Sequence, residues 1–238
     1  MKERPQLQNS SRSISHKRPN GLFTASDEIE KATDSSFLAT RRIEMTKGEE
    51  TRQRIVELAA PLFNQRGYAG CSVADIMEAT GLEKGGIYRY FESKEELAAE
   101  AFRFSVKEIR KLRTDDLESI PGSVGKLRYI MDRFVSEPSP MKGGCPLMNT
   151  AIDADDGNAA LRDLVREAFV DWRRRVAAIV RQGIRDGEIS KSTDPAELAD
   201  TIIATLEGAL MLVRLDGNKR ALKHVRQSME LLLAAHKT

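Results

Sequence analysis

No stretch of this chain approaches the roughly 18 consecutive apolar residues a membrane-spanning helix needs. The polar amino end also lacks the short apolar core of a secretory signal. The expected address is therefore the cytoplasm, without membrane contact. Cysteine is scarce: Cys71 and Cys145 lie far apart, and neither has metal-ligand spacing with His16, His224 or His236. A disulfide framework or a zinc site is not expected. An excess of one charge is missing too, since 38 basic against 36 acidic residues leave a formal net charge of +2. Any case for nucleic acid must then come from local placement of charge. There is no phosphate-cradling loop and no nucleophile, base and orienter set, and a thiol enzyme built on Cys145 would need His224 or His236 nearby. No catalytic site, cofactor or metal is expected.

The 238 residues, 40% hydrophobic and 31% charged, are ordinary soluble-protein material, enough for one or two domains with a sizeable core. Residues 1–45 keep no sustained apolar period and read as a disordered tail. Lys17, Arg18, Arg41 and Arg42 would suit a basic arm that follows DNA, but acidic residues from Asp27 to Asp34 interrupt it. Met45 directly precedes the first patterned segment, which makes it a candidate translation start. From Thr46 onward the period is helical. Ile55, Leu58, Ala59, Leu62 and Phe63 form one stripe, with Pro61 expected to kink it and Gly67 to end it. Ser72 is placed to cap a short helix that buries Val73, Ile76, Met77 and Ala79 and closes at Gly81. Ser93, with Glu96 as capping-box partner, opens a long helix to about Arg113. Further helices are expected over 123–136, from Pro146, from Asn158, from Asp194 with Pro195 in the first turn, and from about Asn218 to Ala235. Strand alternation is almost absent, so the fold class is all-α.

The segment "EKGGIYRYF" (83–91) raises a specific question, because each glycine in a helix costs about 1 kcal/mol relative to alanine. Two short helices joined by a tight glycine-containing turn form a helix-turn-helix, whose second helix enters the DNA major groove by its amino end. There, Gly85 and Gly86 would let bare backbone approach phosphate or base edges. Ile87 and Phe91 then face the core, and Lys84, Gly85, Tyr88 and Arg89 face outward. Arg89 suits bidentate reading of guanine. Lys84, Lys94 and the hydroxyls of Tyr88 and Tyr90 suit phosphates, as does Ser72 through its hydroxyl or a nearby amide. Arg52, on the helix before the motif, joins the candidate DNA-contact set. A generic helical hairpin with half-buried tyrosines accounts for the same periodicity, and Glu83 and Glu92 would repel phosphate if they faced it.

Residues 51–97 go further. Ala59 and Phe63 before Gly67, then Ser72, Val73, Asp75 and Ile76, then Gly81, Gly85, Tyr88, Phe91, Lys94 and Leu97, occur in the order and spacing of the tetracycline-repressor (TetR) family, whose DNA-binding domain this segment resembles. Ser72 stands where threonine is commoner, and Glu83 where a serine or threonine often caps the reading helix. The resemblance implies a helix-turn-helix domain over 46–97 and a helical ligand-binding and dimerisation domain over 98–238. It implies a homodimer on double-stranded palindromic operator DNA, most often a repressor, released by a small-molecule effector.

In the second half, Leu206, Leu210 and Val213 with Val225, Met229 and Leu232 form apolar stripes on the last two helices. By family analogy these are a dimer surface; read alone, they fit intrachain core equally. Phe102, Phe134, Cys145, Met148, Phe169 and Trp172 are candidate walls of an effector pocket, though each suits a packed core. Cys145, in "KGGCPLMNTAID", sits where a helix amino end lowers a thiol's pKa, so it is either an electrophile or redox sensor or a small buried residue.

Overall fold

The computed structural model describes residues 45–137, 139–154 and 157–238. The tail, the basic arm and everything else expected of residues 1–44 lie outside the described residues. The α-helices are α1 (Lys47–Gly70), α2 (Val73–Thr80), α3 (Lys84–Tyr88), α4 (Lys94–Thr114), α5 (Ser123–Ser136), α6 (Pro146–Ala154), α7 (Ala159–Arg185), α8 (Pro195–Asp216) and α9 (Arg220–Ala235). A short 3-10 turn, Leu117–Ser119, lies between α4 and α5. Among the described residues no strand forms, only an isolated bridge between Ile189 and Lys237.

Local chemistry accounts for most helix ends. Thr46 and Glu49 form a reciprocal capping box at the start of α1, and Ser72 and Asp75 form another at α2. Gly81 closes α2 in the left-handed conformation at φ 69°. Asn158 caps α7, and Asp194 caps α8 with Pro195 in its first turn. At α4 the Ser93 hydroxyl accepts from Glu96 N–H, but the Glu96 carboxylate accepts from Glu92 N–H rather than closing the expected box.

Two expectations about α1 and α2 need correction. The backbone break in α1 falls at Gly67 (φ 74°, ψ 172°), not at Pro61. The neighbours explain it: Tyr68 N–H donates to Asp153 of α6 at 2.6 Å, and a Cβ on Gly67 would overlap that same carboxylate. A positive φ and a close approach together leave only glycine. Ala79 is exposed rather than buried.

Two apolar clusters organise the helices. Ile55, Val56, Ala59, Cys71, Ile76, Ile87, Phe91 and Leu97 close the α1–α2–α3 head over the start of α4. The larger cluster joins α5, α7, α8 and α9 around Leu127, Val176, Val180, Ile202, Ile203, Leu206 and Leu233. Helix α4 runs along α1 and then meets α5, α6 and α7, so its first turns belong to one cluster and its later turns to the other half. Among the described residues, no helix is long and apolar enough to cross a membrane.

Candidate nucleic-acid interface and effector cavity

The second helix of the helix-turn-helix is shorter than its sequence pattern. Helix α3 spans five residues, and Arg89 and Tyr90 continue in a turn in which Tyr90 N–H donates to Ile87 O at 3.0 Å. Ile87 and Phe91 are both 2% exposed, and they anchor the segment on the head core. Lys84, Gly85 and Arg89 are exposed, and Tyr88 and Tyr90 are half-buried. Tyr90 packs against the head cluster, and Lys84 Nζ lies 5.9 Å from the Tyr88 ring centroid. Among the described residues, no ion pair involves the Arg89 side chain. Glu83 occupies the N-cap position and makes no side-chain capping bond, as its long side chain leads one to expect.

The two glycines are instructive for what surrounds them. A Cβ at Gly85 would meet nothing within 4 Å, and one at Gly86 would make only ordinary contact with Leu82, 3.6 Å away. Neither has a positive φ. Nothing among the described residues therefore requires glycine at either position, unlike Gly67.

Other expected contact residues have partners within the head. Arg52 pairs with Glu96 at 3.1 Å and Glu100 at 3.5 Å, and its guanidinium lies 4.7 Å from the Phe91 ring centroid, so it ties α1 to α4. Lys94 Nζ donates to Tyr68 O at 2.6 Å and lies 4.3 Å from the Tyr68 ring centroid. The Ser72 hydroxyl and amide both donate to Asp75, and Arg66 bonds that carboxylate too. These bonds, those from Ser72 first, hold the Asp75 carboxyl down at about 2. The first-turn amides of α2 beyond Ser72 remain the donors by which this helix start can meet an anion.

In the second half, a cavity of about 150 Å³ opens between α4, α5, α8 and α9. Phe134 and Cys145 line it, together with residues the sequence did not single out for a pocket, Ile109, Arg113, Val135 and Leu222. Leu210 and Val213, expected at the dimer surface, line it as well. Met148, Phe169 and Trp172 line no part of it and pack with Cys145, Leu147 and Val165, as does Phe102, which borders two other surface depressions. Phe169 meets Trp172 edge-on at 6.0 Å, and Phe134 stacks on Trp172 at 6.5 Å. No sequence period marks Arg113; it is the last turn of α4, brought to the cavity by the path of that helix.

Cys145 is 4% exposed. Burial pushes its thiol well above the ordinary range and the Glu207 carboxylate adds to this, while the amides of Met148 and Leu147 at the start of α6 act the other way and are outweighed. The helix-end effect expected from the sequence is present but does not win. A thiol held protonated is a poor nucleophile. His236, one of the two histidines a thiol enzyme could use, is hydrogen-bonded to Thr193 at 2.9 Å.

The dimer stripe also requires correction. Leu206 is fully buried and Met229 is 4% exposed, both inside the intrachain cluster, with Leu210, Val213, Val225 and Leu232 packed against it. The large apolar side chains left exposed on α8 and α9 are Met211, Leu212, Leu215 and Leu231. Each helix has two apolar faces, and sequence periodicity alone does not say which one its own chain covers.

Comparison with known proteins agrees with this geometry. The model for bacterial regulatory proteins of the tetR family matches residues 55–101, and that for the tetracyclin repressor-like C-terminal domain matches 123–229. A TetR transcriptional regulator from Chloroflexus aurantiacus J-10-FL is 44% identical with a TM-score of 0.77, covering 81% of this chain and 98% of that one. A regulator from Saccharomonospora viridis, solved in complex with choline, is 26% identical with a TM-score of 0.67, covering 78% and 96%. The HTH-type transcriptional repressor DhaR of Mycobacterium sp. (strain GP1) is 27% identical over 172 residues, 72% of this chain and 86% of that protein. Head, bundle and the span of these matches place the chain in the TetR family of helix-turn-helix transcriptional regulators.

Proposed function

We propose that the chain acts in the cytoplasm as a homodimeric repressor that binds a palindromic operator through α3 and leaves it when a small molecule occupies the second half. Residues 46–97 serve as the reading head and 98–238 as the effector and dimerisation domain. The carrying observation is the pair of glycines at the start of α3, which nothing among the described residues requires. Their cost in helix propensity finds its reason outside the chain, in close approach of backbone to duplex DNA. Arg89 reads a base, Lys84 and the tyrosine hydroxyls meet phosphates, and Arg52 and Lys94 act first as braces of the head.

Two heads on one duplex must meet successive major grooves about 34–36 Å apart or a related spacing. The exposed apolar residues Leu212, Leu215 and Leu231 suit the pairing surface that sets this distance. A ligand preferring another separation lowers DNA affinity by its difference in binding free energy between the two states. That a related regulator holds choline supports an effector of small-molecule size, without carrying its identity over. The reading assigns no catalytic role.

Selection of bound duplexes from a random pool tests the proposal. A palindrome with half-sites one helical turn or a related spacing apart is the expected outcome, bound by the wild type and lost in Gly85→Val. An unenriched pool, or equal binding by a folded, dimeric Gly85→Val, would overturn it.

A further inference from the structure

Among the described residues, Arg113 Nε is buried without a hydrogen-bond partner, and the buried Glu207 carboxylate has only the weak thiol donor of Cys145. Each residue is only 9% exposed. Arg113 lines the cavity; Glu207, one turn before Leu210 on α8, is close enough to Cys145 and Arg113 to interact electrostatically with both. The two opposite charges nevertheless form no ion pair with one another within 4 Å, so neither satisfies the other. The guanidinium is fixed in place: Nη1 donates to Arg133 O and to Glu137 O, and the group lies 4.8 Å from the Phe134 ring centroid. Its Nε–H is left without a partner, closed off beside a cavity that this arginine lines with mostly apolar neighbours.

We propose that this cavity binds an organic monocarboxylate, its head group accepting from the Arg113 guanidinium and its apolar body lying against Phe134, Leu210 and Val213. This deepens the regulator reading above and rests on it, the cavity being the effector site. Charge favours the anion. Lys219 stands at the cavity edge, and Glu137, the one acid in the wall, is paired with Arg133 at 3.4 Å. Burial raises the Glu207 carboxyl above its ordinary range, which reduces its repulsion of an incoming carboxylate. A cation would meet Arg113 and Lys219 and leave Nε unpartnered. A neutral amide would gain only the weaker, uncharged hydrogen bond.

Calorimetric titration of the DNA-free protein decides this, using two matched series: octanoate, octanamide and octylamine, and phenylacetate, phenylacetamide and phenethylamine. At least one carboxylate is expected to bind about tenfold or more tighter than its amide, with the amine weakest. Arg113→Met should bring the carboxylate down to the level of the amide, and Val213→Phe, which fills the space without changing charge, should abolish both. If Arg113→Met fails to fold, the head-group series and Val213→Phe still decide. Preference for an amine, parity of amide and carboxylate, undiminished carboxylate binding in a folded Arg113→Met, or no binding by either series at millimolar concentration would each overturn the proposal. Binding of the selected duplex by the same preparation is a separate measurement. Duplex binding without carboxylate binding rejects only the ligand class, and carboxylate binding without duplex binding rejects only the regulator reading.

Discussion

Gly85 separates folding from recognition at the level of one residue. A Cβ there has open space, so Gly85→Ala should leave thermal stability unchanged or raise it by up to about 1 kcal/mol while weakening operator binding. Melting and duplex titration of one sample would show the opposite signs. Arg89→Ala should cost about 1–3 kcal/mol on the preferred duplex and relax selection at one base pair, read by competition among single-position variants. Lys94 behaves differently from a simple phosphate contact, because its bond to Tyr68 O braces the head. Lys94→Ala should therefore lower the melting temperature as well as affinity. Asp75 sets a pH dependence. Its folded pKa of about 2 lies below the ordinary 3.8, so its contribution is present above pH 3.8 and lost as pH falls toward 2. Acid unfolding followed by circular dichroism should show a shallower slope in that window for Asp75→Asn than for the wild type.

Between elements, the contact of α1 with the 141–149 segment links the reading head to the effector half. The Asn64 amide donates to Lys142 O at 2.8 Å and Gly144 O at 3.2 Å, and the Asn149 amide donates to Asn64 Oδ1 and O and to Gly143 O. Arg214 of α8 extends the chain of bonds to Asn149. Gly143 lies at φ 100°, and a Cβ there would come within 2.7 Å of Asn64 O. Asn64→Ala would leave carbonyls of this turn unpaired at a cost of about 1–3 kcal/mol, measurable by denaturant unfolding. This path from α8 to α1 runs beside the cavity and complements α4, whose Leu97 belongs to the head cluster and whose Phe102 and Val106 pack with Cys145 and Val165.

For the whole molecule, the proposed pairing of two chains would use the side chains the monomer leaves uncovered. Leu215 and Leu231 are 75% and 73% exposed. Arginine at both positions should yield a folded monomer in sedimentation, with operator affinity falling to that of a single head. Substituting Leu206 or Met229, by contrast, should unfold the chain, because both belong to the intrachain core. The sequence by itself determined the helices and the head. Local rules acting over three or four residues, such as Ser72 with Asp75, Asp194 before Pro195 and the stripe Ile55, Ala59 and Phe63, mark where helices start, end and turn their apolar sides. The reading segment was legible because its glycines break those rules. Only tertiary structure decided what long-range packing controls. It set Asp153, from 86 residues away, against Gly67, where the sequence already expects an end, and left Pro61 without a backbone break. It engaged Arg52 and Lys94 within the head and turned Leu206 and Met229 inward. It also brought Arg113 and Glu207, 94 residues apart, to one buried place beside a cavity. Periodicity records that a helix has an apolar face, but which neighbour covers that face depends on contacts among distant segments.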